Sequence, residues 1–224
     1  MSPAIGEMMS SLPENPLATG HFGPLEAWLC GTLGATRVEI ARAEKLSGGA
    51  VQENWRIDAI VEGGQYEGAQ RWVLRTDAAA SLSVSLDRTS EFGVLSAAYN
   101  AGIKVAQPIA RCESAHLTGA PFMLQVYQPG EAQARRLTRD PALSDWGPVV
   151  ARELGEELAK IHMIRSSHPG LGFLPQAIMS PAKAEVARLR AALDNAGEAR
   201  PALEYVLNWL MENDPGSLEV TLVH

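Results

Sequence analysis

In the first half of the chain, apolar residues alternate with polar ones in short runs that predict β-strands. Val38 and Ile40 alternate with polar neighbours, and the run from residue 55 to 61 repeats this pattern. Glu62-Gly63-Gly64 then predicts a turn, and Trp72-Val73-Leu74 predicts a third strand. Since strands joined by a glycine turn pair as neighbours running in opposite directions, we expect an antiparallel sheet.

Helical periodicity replaces this alternation in the second half. We expect helices over residues 24–33 and 87–100, and strands over residues 108–110 and 122–127. After Gln128-Pro129-Gly130 the apolar spacing is that of amphipathic helices, over residues 147–163, 181–193 and 203–210. Strands first and helices afterwards predict an α+β fold. The expected divisions are an arm and helix (1–35), a sheet region (36–128) and a helical part (129–224).

Composition excludes several classes of protein. With 46% hydrophobic and 20% charged residues the chain resembles an ordinary globular domain, and no apolar run approaches membrane-spanning length. The net charge of −7 argues against a nucleic-acid partner or a membrane surface. Cys30 and Cys112 are too few for a disulfide scaffold or a zinc site. Together with the lack of a secretory signal, this predicts a cytoplasmic protein, and the sequence leaves its oligomeric state open.

Two adjacent glycines between predicted strands form the first candidate binding element. Gly48 and Gly49 lack a Cβ, so their backbone N–H groups can approach an anion closely. A plain hairpin turn explains the same residues, and the loop by itself favours that simpler interpretation. Neither a Walker phosphate loop nor a dinucleotide-binding glycine motif occurs in the chain.

Charged residues after the third strand form a second candidate element. Arg75 ends that strand, and its forked guanidinium suits two phosphate oxygens. Glu91, on the helix that follows, could pair with Arg75 and orient it toward a phosphate. Taken singly, each is more simply a surface charge. The segment from Gln125 to Gln128 could offer backbone groups to a purine or could be an ordinary linker, and the helical periodicity places His162 in the core.

In this order, the segments resemble the aminoglycoside phosphotransferase and choline kinase-like family. The resemblance extends over roughly residues 25–224 and is strongest to the branch that includes kinase-like domains fused to acyl-CoA dehydrogenases. The segments that carry it are Leu46-Ser47-Gly48-Gly49-Ala50-Val51-Gln52-Glu53-Asn54-Trp55, Trp72-Val73-Leu74-Arg75, Glu91, Pro121-Phe122-Met123-Leu124, Pro129-Gly130, Leu158-Ala159-Lys160-Ile161-His162, Asn208-Trp209-Leu210 and Leu222-Val223-His224.

The resemblance implies a protein-kinase-like fold that binds ATP and Mg²⁺. An N-terminal lobe, with an antiparallel sheet and one helix, would precede an incomplete helical C-terminal lobe. His162 would brace the catalytic loop. The nucleotide-binding positions implied are Gly48 and Gly49 in the phosphate loop, Arg75 in place of a strand lysine with Glu91 as its partner, the backbone of Val126 and Gln128 at adenine, and Gln125 behind the ring.

The resemblance also implies where the catalytic groups would lie. His224 would open a His-Gly-Asp loop, so the catalytic Asp and the magnesium ligands would follow it. We therefore expect a truncated, inactive piece that contains no catalytic residue and no metal ligand. The parent protein would transfer the ATP γ-phosphoryl group to a hydroxyl of a small molecule. A hydroxyacyl thioester, which this branch favours, an aminoglycoside and another amino alcohol remain open as acceptors. The alternative function is a non-catalytic nucleotide-binding or interaction module.

Overall fold

The computed structural model describes residues 15–46, 52–77, 86–131, 133–165, 167–174, 179–197, 199–216 and 221–223. The strands are β1 (Arg37–Lys45), β2 (Gln52–Glu62), β3 (Gly68–Asp77), β4 (Pro108–Cys112) and β5 (Phe122–Val126). The α-helices are α1 (Pro16–Thr19), α2 (Gly23–Leu33), α3 (Arg88–Asn100), α4 (Ala134–Arg139), α5 (Gly147–His162), α6 (Pro181–Ala196) and α7 (Pro201–Glu212). Short 3-10 helices cover Pro141–Trp146 and Pro169–Leu171.

The strands form one antiparallel sheet in the order β1-β2-β3-β5-β4, as the alternating pattern predicts. The predicted inward residues are buried, among them Trp55, Ile57 and Val61 on β2. In β3, which lies at the centre of the sheet, three successive residues (72–74) are buried. A strand covered on both faces loses its alternation of exposure, and this is why residues 72–74 form a continuous apolar run.

Helices cover opposite faces of this sheet. Leu25 and Leu29 of α2 share a core with Leu74, and Trp28 stands edge-on against Phe122 with ring centroids 5.2 Å apart. The helix α3 packs against β4 and β5 and touches β3. Because successive side chains of a strand point to opposite faces, residues 73 and 75 of β3 face the α3 side.

The turn between β2 and β3 depends on glycine, as its sequence predicts. Gly63 and Gly64 have φ of 72° and 78°, which non-glycine residues rarely adopt. A Cβ at Gly64 would lie 2.9 Å from the carbonyl oxygen of Gly34, the residue that ends α2. The doubled glycine therefore lets this turn lie directly against the end of the helix that covers the sheet.

The contacts divide the chain into residues 1–152 and 153–224. Division of the chain at residues 128 and 129 remains a prediction. In the second unit, α6 begins at the predicted Ser180-Pro181, where the Ser180 side chain accepts a hydrogen bond from the Lys183 N–H. The helices α6 and α7 are joined by Arg190, which lies 2.7 Å from Glu204 and 2.8 Å from Asn208.

Several apolar residues of the helices are exposed, although their spacing predicts a buried stripe. The large apolar side chains with more than a third of their surface exposed include Val150, Leu154, Leu189, Leu203, Val206, Trp209 and Leu210. His162 is also exposed, so its predicted core position is wrong. It comes at the end of α5, a helix that buries no described side chain, and periodicity cannot supply a missing packing partner. None of the described helices is both long enough and apolar enough to cross a membrane.

Candidate functional site

The centre of the sheet positions the strand cation. Arg75 pairs with Asn54 on β2 and with Met123 on β5, so ordered strands flank it on both sides. Its neighbour Leu74 is fully buried in the core under α2. Arg75 therefore points to the other face, where 21% of its side chain is exposed. This position holds a permanent cation at the surface with little freedom to move away.

The structure brings Arg75 and Glu91 together, as their order in the sequence predicts. Nη1 of Arg75 lies 2.7 Å from Oε1 of Glu91, and its Nη2 donates to Oε1 of Gln52 at 2.5 Å. Burial lowers the pKa of the Arg75 guanidinium below its ordinary value, Glu91 opposes this change, and the nearby charge of Arg88 adds to it. A guanidinium remains charged at physiological pH even so.

A second arginine binds the other oxygen of the same carboxylate. Nη1 of Arg88 donates to Oε2 of Glu91, and only 2% of the Arg88 side chain is exposed. Its Nη2 donates to the Leu86 carbonyl at 2.9 Å, and its Nε lies 3.0 Å from Oδ1 of Asp77 in an ion pair without hydrogen-bond geometry. Glu91 thus joins an arginine on the strand to a buried arginine in its own helix.

The end of β5 lies beside this cluster. Gln125 pairs with Val73, which places it on the same face as Arg75, one strand away. The N–H of Tyr127, just after β5, donates to the Arg71 carbonyl at 3.0 Å, so Tyr127 and Arg71 of β3 form a hydrogen-bonded pair. Hydrogen-bonded and non-hydrogen-bonded pairs alternate along antiparallel strands, so the backbone N–H and C=O of the preceding residue, Val126, point away from β3. The Val126 N–H donates to the Gln107 carbonyl at 2.9 Å. Of the Val126 backbone, therefore, the carbonyl is the group to consider for a ligand, and Gln128 is exposed beyond it.

Three of the expected positions lie outside the described residues. Gly48 and Gly49 fall within residues 47–51, and His224 follows the last described residue. Their assigned roles stay predictions. The first described residue after these positions is Gln52, whose amide contacts Arg75 and so connects the start of β2 with the strand cation.

Two members of the cluster were missed in the sequence. Gln52 directly follows the glycine loop, but an amide gives no signal that it will bind a cation 23 residues later. Arg88 did leave a signal, because it lies three residues before Glu91 in a helix that Asp87 caps. Residues three apart share a helix face and can pair.

Within the part of the chain that the structure describes, potential metal ligands are not clustered in the same way. Across the ranges that the structure describes, no group of three or more His, Cys, Asp or Glu side chains has an arrangement that could hold a metal ion.

A comparison with protein families identifies the chain. The model of the phosphotransferase enzyme family (APH) matches residues 42–224. The chain belongs to this phosphotransferase family. The mouse acyl-CoA dehydrogenase family member 10 is 27% identical over 145 residues, which are 60% of this chain and 12% of that protein. The predicted resemblance to this branch is thereby confirmed.

A solved structure shows the fold of this phosphotransferase-family chain. A candidate aminoglycoside phosphotransferase from Ralstonia eutropha matches with a TM-score of 0.62 and 18% identity, over 87% of this chain and 54% of the other. The match confirms the predicted α+β, protein-kinase-like fold. The chain spans about half of that solved protein and about an eighth of the mouse relative.

Proposed function

We propose that this chain is the nucleotide-binding part of an ATP-dependent phosphotransferase whose acceptor is a hydroxyl of a small molecule. The observation that carries the proposal is the 2.7 Å contact of Arg75 with Glu91, on the sheet face under α3 of a phosphotransferase-family chain. A paired, half-buried cation keeps its charge and its direction, and both are needed to bind a polyphosphate.

A phosphate group would replace the neutral contact that Arg75 makes with the side chain of Gln52. Nη2 of Arg75 donates to the side-chain amide oxygen of Gln52. A phosphate oxygen carries charge and is therefore the stronger acceptor for a guanidinium. We expect Gln52 to give way when the nucleotide binds. Gly48 and Gly49, which precede it, would then offer backbone N–H groups to the same phosphates.

The adenine would bind at the end of β5. The carbonyl of Val126 would accept from the exocyclic amine, the N–H of Gln128 would donate to the ring, and Gln125 would lie behind it. Gln125 shares the sheet face of Arg75, so base and phosphates would lie along one surface. The direction of the Val126 carbonyl supports this arrangement, because its N–H is already used by Gln107.

In the transfer itself, the acceptor oxygen forms a bond to the γ-phosphorus while the bond to the β,γ-bridging oxygen breaks. The hydroxyl proton passes to a general base, and ADP leaves with the electron pair. By family resemblance, that base would be an Asp that follows a His such as His224, with an Asn after it and a later Asp that would hold Mg²⁺. The metal would neutralise charge on the phosphates. A hydroxyacyl thioester is the first acceptor to assay, because the mouse relative is an acyl-CoA dehydrogenase family member.

Calorimetric titration of the chain with Mg²⁺-ATP tests the nucleotide site. We expect binding to the unaltered chain, and Arg75→Met should raise Kd at least about tenfold, since a hydrogen bond to a charged group contributes about 1.5–3 kcal/mol. Arg188→Met is the matched control. Arg188 also pairs with a glutamate, Glu185, but on the surface of α6, and its loss should leave Kd unchanged.

Two results would contradict the proposed nucleotide site, and one would favour the alternative function. Absence of heat with the unaltered chain, or equal Kd after Arg75→Met, would overturn the proposed site. A longer form of the protein should also transfer label from γ-³²P-ATP to a hydroxylated acceptor. Binding without any transfer in that form would favour the alternative, a non-catalytic nucleotide-binding module.

A further inference from the structure

We infer that Arg88 is a positioning residue, which holds Glu91 in place so that Arg75 faces the nucleotide. This inference rests on the proposed function of the Arg75 site. Each oxygen of Glu91 contacts one arginine, Oε1 to Arg75 and Oε2 to Arg88. A carboxylate bound on both sides cannot rotate away from Arg75 without also breaking its contact with Arg88.

Burial gives Arg88 its strength as an anchor. Only 2% of its side chain is exposed, whereas Arg75 and Glu91 expose 21% and 18% of theirs. A buried guanidinium that loses a carboxylate partner is left with an uncompensated charge, which is strongly unfavourable. The arrangement in which Arg88 contacts Glu91 is therefore strongly preferred over one in which the helix has shifted.

Arg88 also fixes α3 to the strand that carries Arg75. Its Nε lies 3.0 Å from Asp77, which ends β3 two residues after Arg75, and its Nη2 holds the carbonyl of Leu86. One side chain thus contacts the end of the strand, the entry to the helix and the helix carboxylate. The distance from Arg75 to Glu91 is set by this side chain as well as by the packing of α3 on the sheet.

A double-mutant cycle tests whether Arg88 acts through Glu91. We expect Arg88→Met to weaken Mg²⁺-ATP binding by about tenfold, and Arg88→Met combined with Glu91→Gln to bind no worse than Glu91→Gln alone. A purely structural role would weaken binding in both backgrounds by the same factor. Arg111→Met is the control, because Arg111 also reaches the first turn of α3, at the Thr89 carbonyl, without touching Glu91.

Arg88→Lys is a second variant that tests the inference if Arg88→Met does not fold. A lysine keeps the buried charge but lacks the fork that reaches Asp77, Leu86 and Glu91 together. It should retain the fold and bind ATP with a Kd between those of the unaltered chain and Arg88→Met. An unaltered Kd in both Arg88 variants, or equal factors in both arms of the cycle, would overturn the inference.

A ligand-free measurement separates this inference from the proposed function. In ¹⁵N spectra of arginine side chains, contact with Glu91 should keep the two Nη signals of Arg75 distinct, and Arg88→Lys should merge or broaden them, whereas Arg111→Met should not. If the unaltered chain binds no ATP but the signals change in this way, the proposed function fails, and what stands is that Arg88 holds the contact between Glu91 and Arg75. Unchanged Arg75 signals in Arg88→Lys would contradict that role whether or not ATP binds.

Discussion

The sheet region (residues 1–152) and the helical region (residues 153–224) bury their apolar residues to very different extents. In residues 1–152, Trp72, Leu74 and Met123 have no exposed surface. Residues 153–224 bury Leu171 as completely, yet Leu154 is 65% exposed. The apolar spacing is equally regular in both regions. An amphipathic pattern therefore identifies the face that suits burial, while the partner that covers it has to come from elsewhere in the fold.

The same contrast explains where a binding site is already organised. In the sheet region, Arg75 is fixed by a strand on each side and a helix above it. In the helical region, charges such as Arg188 and Glu185 pair on one exposed helix surface. Exposed pairs contribute little to stability and define no direction. A rigid, two-sided core is what turns a charged pair into a candidate site.

The largest expected effect comes from identical truncations in the two regions. Leu74→Ala should lower the free energy of unfolding by about 2–5 kcal/mol, because it leaves a cavity in the sheet core. Leu154→Ala should change it by no more than about 0.5 kcal/mol, since that side chain is already in water. Urea unfolding followed by circular dichroism measures both. Equal losses would show that α5 is packed in solution and would remove the contrast.

A helix cap in each region gives a smaller expected effect. Asp87 accepts hydrogen bonds from the N–H and the hydroxyl of Ser90, both at 2.8 Å, and Ser180 caps α6. Asp87→Ala and Ser180→Ala should each lower stability by about 1 kcal/mol. If the regions unfold separately, each variant should shift a different transition. A single shared shift would indicate one cooperative unit.

Asp87 adds a dependence on pH to this comparison. The backbone N–H of Ser90 is the main cause that lowers the Asp87 pKa, with its hydroxyl next. A lowered carboxyl pKa stabilises the fold above the unfolded value of about 3.9, and this contribution is lost as pH falls through the folded value. The Asp87→Asn side chain can still cap α3 but does not titrate, so this variant should lose this part of the acid sensitivity. Measuring the free energy of unfolding over a series of acidic pH values checks this.

The smallest effect on stability is expected at the exposed stripe of α7. Trp209 is 53% exposed, so Trp209→Gln should alter the unfolding free energy by less than about 0.5 kcal/mol. It should also reduce binding of an apolar fluorescent dye, because exposed apolar patches attract such ligands. Trp28, which packs on Phe122, is the matched position in the sheet region, and Trp28→Gln should be clearly destabilising. Equal losses of stability would show that Trp209 is also packed.

Much of the candidate site could be predicted from the sequence, because its main pair follows from local order. Arg75 lies two residues before the end of β3 and Glu91 lies in the first turn of α3, so the connection between these two elements limits how far apart they can lie. Gln52 could not be predicted, because its contact with Arg75 depends on the register of β2 against β3. His162 was placed wrongly, because a pattern that suits a core does not show that a core is there.

By itself, the sequence determined the kinds of element, their order and the faces suited to burial, since alternation, helical periodicity and turn residues are local properties of a chain. Only the tertiary structure decided that Glu91 lies between two arginines and that Arg88 is buried. Those facts depend on which strands are neighbours and how a helix lies on them. Long-range packing sets both, and no local pattern records it.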